Sequence, residues 1–306
     1  MDRQPELTEK ILKLKQQRNA VILAHNYQLG EIQDIADFVG DSLDLSQNAS
    51  KTDASVIVFC GVHFMAETAS ILSPRKTVLL PDEHAGCPMA NMITAPQLKE
   101  KKKEYPQATV VCYINSSAAV KAESYICCTS ANAVGVVESV DADEIIFIPD
   151  QYLGHYISTK TSKRMILWPG FCPTHARIMP EYIIKLRQEY PEAKVVVHPE
   201  CRPDVIALAD QVLSTSGMIK FAQREDVKEL IVGTEMGLIY RLRKENPGKK
   251  FIPVSEQAIC PNMKLITLEK VLWSLEEMKP VVKVPENIRL KAKGAVDRML
   301  AVGRSA

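Results

Sequence analysis

The sequence predicts an α/β protein made of three homologous three-layer α/β/α units, each with a short parallel sheet, related by a pseudo-threefold axis. Three observations lead there. The chain repeats itself: Glu104–Val111 reads EYPQATVV and Glu189–Val196 reads EYPEAKVV, 85 residues later. Apolar runs rich in β-branched residues alternate with helical stretches, the pattern of parallel strands buried on both faces. Each copy ends on a Cys-Pro pair, at Cys87, Cys172 and Cys260, spaced 85 and 88 residues apart.

In chain order, TEKILKLKQQ is the first predicted helix, and VILAHNY, SVIVFCG and TVLLPD are the strands of the first unit. APQLKEKKKEY opens the second unit, whose strands are VVCYINS, EIIFIPD and MILWPG. PEYIIKLRQEY opens the third, with VVVHPEC, ELIVGTE and FIPVSE. TLEKVLWSLEEM and ENIRLKAKGAVDRMLAVG read as terminal helices. The units span 1–93, 94–178 and 179–265, and 266–306 is expected to pack back on the first unit. The run KEKKKE in Lys99–Glu104 reads as a solvated helix face.

The first strand of each unit ends on a polar residue, at His25, Tyr113 and His198, spaced 88 and 85 residues apart. Sixteen or seventeen residues further on come small hydroxyl-bearing segments: GDS with Ser42, TSAN with Ser130, and STSG with Ser214 and Thr215. Strand carboxyl ends are where open parallel sheets bind ligands, so one central site should collect residues from all three units. The hydroxyl segments sit where helices begin; they can hold phosphate or carboxylate, or serve only as N-caps.

Composition narrows the function. Against 37 acidic residues stand 38 basic ones, a net charge of +1, so nothing draws the whole molecule to nucleic acid or to an anionic membrane. Small molecules are the expected partners. The charged N-terminus lacks the apolar segment of a secretory signal, and no apolar run reaches the about 18 residues of a membrane span, which points to the cytoplasm. Eight cysteines in such a chain read as thiols or metal ligands rather than disulfides. No GxGxxG or Walker-type loop is present.

Cys60, Cys112, Cys127, Cys128 and Cys201 lie in or beside apolar runs and read as core. Cys87, Cys172 and Cys260 follow strand ends, where proline stiffens the turn that aims each sulfur. Three thiolates meeting on one axis repel unless a metal neutralises them. An iron–sulfur cubane with three cysteine ligands, a zinc ion, and inert structural thiols all remain open on the repeat alone.

The segments AHNYQ, DIADFVGDS, FMAE, CPMAN, YINS, CTSAN, CPTH, HPEC and ICPNM, in order over residues 20–265, resemble the quinolinate synthase family. The resemblance implies a three-unit pseudo-threefold fold and a [4Fe-4S] cluster bound by Cys87, Cys172 and Cys260, with one open iron. It further implies condensation of iminoaspartate with dihydroxyacetone phosphate to quinolinate, a precursor of NAD, with release of phosphate and water. The enzyme that supplies iminoaspartate would be a possible protein partner. Glu200 is then the expected general acid and base, with Tyr27, Tyr113 and His198 as catalytic neighbours. His25, Ser42, Asn115, Ser130, His175, His198, Ser214 and Thr215 are the expected substrate contacts. Without that resemblance, a zinc-dependent lyase or aldolase acting on a phosphorylated three-carbon substrate fits the same residues. Cys260 is followed by PNMK with no further cysteine, which removes the CxxCxxC segment that several relatives carry. Met65, Met89, Met92 and Met263 are candidates either for the cleft or for the core.

Overall fold

A computed structural model describes residues 4–304. Among them are three four-stranded sheets in which every strand pair is parallel. The first sheet contains β1 (Ala20–His25), β2 (Phe38–Gly40), β3 (Val56–Cys60) and β4 (Thr77–Leu79) in the order β2-β1-β3-β4. The second contains β5 (Thr109–Tyr113), β6 (Ile126–Cys128), β7 (Glu144–Ile148) and β8 (Arg164–Leu167) in the order β6-β5-β7-β8. The third contains β9 (Lys194–Val197), β10 (Gln211–Val212), β11 (Glu229–Gly233) and β12 (Lys250–Pro253) in the order β10-β9-β11-β12. The same order three times over is the repeat of the sequence expressed as topology.

The central strands explain the unbroken apolar runs. In β1, β3, β5, β7, β9 and β11 nearly every residue after the first is buried, because helices cover both faces. Each such Val, Ile or Leu contributes about 1.5–3 kcal/mol relative to exposure. One continuous core spans the first two units and reaches one face of the third, while the other face of the third sheet packs separately around Ile183, Val195, Val197 and Ile231.

The helices expected from sequence form at Gln4–Gln17, Ala95–Glu104, Pro180–Glu189, Leu268–Glu277 and Glu286–Val302. Their starts are chemically marked: Thr94 and Gln97 form a capping box ahead of Ala95–Glu104, and Thr267 caps Leu268–Glu277. The lysine run lies on an exposed face, with Lys101 bonded to Glu104 and Lys103 to Glu100 at 2.8 Å each.

Two features differ from expectation. Each unit has a fourth strand, β2, β6 or β10, only two or three residues long and therefore too short to show an alternation. The C-terminal helices also divide their packing. Leu268–Glu277 lies against Gln4–Gln17 of the first unit, whereas Glu286–Val302 lies chiefly on Ala118–Ala122 and β6 of the second unit and touches His63–Leu72. Its buried face, Ala292, Ala295, Val296 and Met299, is small enough to seat closely there. No helix among the described residues is long and apolar enough to cross a membrane.

A candidate metal and substrate site between the three sheets

The carboxyl ends of the three sheets face one cavity. His25, Tyr27, Tyr113, Asn115, His198 and Glu200 reach it from the ends of β1, β5 and β9. Ser42, Ser130 and Thr215 reach it from the segments after β2, β6 and β10, and Cys87, Cys172, His175 and Cys260 from the Cys-Pro loops. Of the sequence-predicted residues only Ser214 stays outside: it caps the helix Thr215–Ala222 by accepting the Gly217 N–H at 3.2 Å. Ser42 is not a cap, because Asp41 fills that role with Asp44 as its capping-box partner. Ser130 is not one either; its hydroxyl lies 3.2 Å from His198 Nε2. Met65, Met89 and Met263 line the cavity. Met92 instead receives the Phe171 N–H on its sulfur at 3.3 Å.

Glu200 is the hub. Its Oε1 accepts from the Tyr113 hydroxyl at 2.5 Å and from Asn115 Nδ2 at 3.3 Å, while Oε2 lies 2.8 Å from His175 Nδ1. Burial alone would raise this carboxyl, but His175, His198 and the Tyr113 hydroxyl overcome it and hold it at about 2. Because a carboxylate only accepts, the proton of His175 is on Nδ1. Its Nε2 lies 2.9 Å from the Thr234 hydroxyl, which lies 2.6 Å from the Tyr27 hydroxyl. A continuous hydrogen-bonded path thus runs from Tyr27 through Thr234 and His175 to Glu200. Burial and the charge of Glu200 keep Tyr27 and Tyr113 protonated, well above the ordinary tyrosine range.

His25 and His198 share one local geometry, as their repeat positions predict. The backbone N–H two residues on, of Tyr27 and of Glu200, donates to the ring Nδ1 at 3.2 and 3.3 Å. Each ring therefore carries its proton on Nε2 and offers it as a donor. Burial pushes both down to about 3, so both are neutral at pH 7. Neutral N–H donors beside a fixed carboxylate suit a site that must bind an anion without losing its base.

The three Cys-Pro loops are built alike. The backbone N–H groups of Met89 and Ala90 are directed at Cys87, that of His175 at Cys172, and those of Asn262 and Met263 at Cys260. N–H groups aimed at sulfur stabilise thiolate, the ligand form. As free thiols all three are pushed up instead, Cys87 to about 12, by burial and by nearby negative charge, that of Glu200 at Cys87 and Cys172 and that of Glu235 at Cys260. Such a donor set fits a thiolate-bound group. A second donor set is tighter: Cys172, His175 and Glu200 each offer one atom within 4.8 Å of the others, a spacing that suits a single ion.

Two buried acidic side chains that sequence reasoning did not single out hold these loops. Glu235 accepts the Cys260 N–H at 3.0 Å and the Gly237 N–H at 2.6 Å, and pairs with Lys264 at 2.9 Å. Asp150 caps the helix Gln151–Ser158 and receives the Cys172 N–H. The two occupy the same repeat position after β7 and β11, where the first unit has Val62; the repeat frame contains the signal. Lys264 also donates to the Tyr27 carbonyl, and a side chain on Gly237 would approach that carbonyl to 2.6 Å, so glycine is required for the close crossing. Thr174 is a further unpredicted lining residue.

Fold and site together define an enzyme class: three parallel α/β units around a buried polar cavity with a tuned carboxylate and a metal-capable donor set. The profile of the family described as quinolinate synthetase A protein (NadA) matches residues 9–301. A quinolinate synthase of Dehalococcoides mccartyi strain CBDB1 is 66% identical over 296 residues, covering 97% of this chain and 98% of the relative. Quinolinate synthases of Methanosarcina barkeri strain Fusaro and Geotalea uraniireducens strain Rf4 are each 58% identical, over 98% of this chain and 98% and 99% of theirs. The chain belongs to the quinolinate synthetase A family.

Proposed function

We propose that this enzyme condenses iminoaspartate with dihydroxyacetone phosphate to quinolinate, releasing phosphate and water, as a cytoplasmic step toward NAD. The observation that carries the reading is the convergence of three equivalent Cys-Pro loops on the cavity that holds the Glu200 network. Cys87, Cys172 and Cys260 hold a [4Fe-4S] cluster in this reading, leaving one iron without a cysteine. That cluster, when bound, supplies Lewis acidity for dehydration.

The remaining work belongs to side chains. His25 and His198 donate from Nε2 to substrate carboxylate or phosphate, and Ser42, Ser130 and Thr215 complete the anion contacts. Asn115 and Tyr113 orient Glu200. Ionised at neutral pH, Glu200 takes a proton from the condensing carbon or nitrogen. Glu200, once protonated, returns that proton to a departing oxygen, and Tyr27, which stays protonated, is a second donor there. Burial of the whole set keeps water from hydrolysing an imine substrate.

The close spacing of Cys172, His175 and Glu200 favours one second reading, a zinc-dependent lyase or aldolase. Anaerobic purification followed by iron, sulfide and zinc counting and a quinolinate assay separates the two. About four irons per chain with quinolinate formation supports the first reading. One zinc, no sulfide and activity that survives air would replace it with the second.

A further inference from the structure

Beside the cavity lies a wider cleft between the segment 130–134 with Tyr156 and Lys160 on one side and the segment 212–224 on the other. Ser130 borders both spaces. The wall between them also contains an ion pair whose halves face opposite ways: Asp41 lines the cavity, Arg304 lines the cleft, and they meet at 2.9 Å.

The cleft has a one-sided charge. Lys160, Lys220, Arg224 and Arg304 line it, and among the described residues no carboxylate does. Arg224 is balanced by Asp226 at 2.7 Å and Arg304 by Asp41 and Asp44, but Lys160 and Lys220 are exposed and pair with no carboxylate among the described residues. The chain as a whole carries only +1, so this concentration is local and not a reflection of a basic protein. Phe221 and Tyr156 supply apolar floor between the cations, with Arg224 5.1 Å from the Phe221 ring and Lys160 5.8 Å from the Tyr156 ring. Cationic clefts with low-dielectric walls concentrate anions.

We infer that this cleft is an anion-binding antechamber that takes the phosphate group of the phosphorylated substrate on its way to the cavity, with Lys160 and Lys220 as its principal contacts. The inference rests on the proposed reaction for the identity of the ligand, though not for its charge. Phosphate is the shared chemistry of the entering substrate and the released product, and the same two lysines serve either.

The test uses Lys160→Glu/Lys220→Glu, a surface double variant that touches no residue of the Glu200 network. Inorganic phosphate binding is followed by broadening of its phosphorus resonance in the anaerobic protein. Steady-state quinolinate formation is measured at low and high salt. The expected result is phosphate binding weakened about tenfold and KM for the phosphorylated substrate raised about tenfold at low salt, with kcat unchanged and the salt dependence of KM largely abolished. Unaltered phosphate binding together with unaltered KM overturns the inference. Weakened phosphate binding with an unaltered KM overturns the entry role and leaves the cleft as a site for released phosphate. If the parent protein makes no quinolinate, the proposed function falls, and the phosphate titration alone then decides the cleft.

Discussion

The Glu235–Lys264 pair should act as one brace holding the Cys260 loop against Tyr27. Glu235 is fully buried, and its carboxylate accepts two backbone N–H groups and one ammonium; Lys264 is about one-fifth exposed and also reaches the Tyr27 carbonyl. Removing one partner of a buried pair costs about 3–5 kcal/mol, and the partial exposure of Lys264 places this pair at the lower end, about 3 kcal/mol. Glu235→Gln keeps the shape but not the charge, and Lys264→Met leaves the carboxylate with its two N–H donors alone. At roughly 2 °C per kcal/mol for a large domain, each single variant should lower the melting temperature by about 6 °C. Since the two residues share one interaction, the double variant should lose less than the sum, with a coupling energy of about 1.5–3 kcal/mol. Anaerobic guanidinium unfolding followed by circular dichroism gives the free energies, and iron counting should show Glu235→Gln depleted, because the Cys260 N–H loses its charged acceptor. Single effects that add to within about 0.5 kcal/mol, with iron content intact, would refute the brace.

Glu200→Gln should keep the iron content and lower turnover at least about 100-fold, as loss of a general base does; undiminished turnover removes Glu200 from that role. Replacing Cys172 by alanine should release iron, while replacing Cys201, buried against β11 with its sulfur 3.5 Å from the Gly233 carbonyl, should not; the reverse pattern in metal analysis would mean the ligand set is misassigned. Stability should fall on acidification in two stages. His25 and His198 lie at about 3 against 6.5 for the free side chain, so their neutral forms contribute fully above pH 6.5 and progressively less as the pH falls. Glu200, at about 2 against 4.5, adds its loss only below pH 4.5. Each histidine contributes up to about 1.4 kcal/mol per pH unit between 6.5 and 4.5. His25→Asn/His198→Asn should therefore show a shallower fall over that range by thermal melting, and an identical slope would exclude these rings as the source.

Much of the site was legible because the chain is repeated. Equal spacing of His25, Tyr113 and His198, and of Cys87, Cys172 and Cys260, marks equivalent strand ends, and parallel sheets direct such ends to one side. The same frame contained Asp150 and Glu235, but they sit inside apolar strand endings that read simply as turns. The very short strands β2, β6 and β10 left no periodic trace, since two or three residues cannot alternate. Ser42 and Ser214 carried one expectation and parted because cap or ligand contact depends on a single residue of register at a helix start: Asp41 precedes Ser42 and caps, whereas Ser214 itself precedes its helix.

By itself the sequence determined the α/β class, the threefold repetition, the buried strands and the residue types that meet in the centre, since these follow from local hydrophobic pattern and spacing. Tertiary structure alone decided which atoms touch. The path Tyr27–Thr234–His175–Glu200 joins residues from three units, and the partition between Asp41 and Arg304 joins positions 263 residues apart. Hydrogen bonds are settled within tenths of an ångström, and that precision arises only when whole units pack against one another.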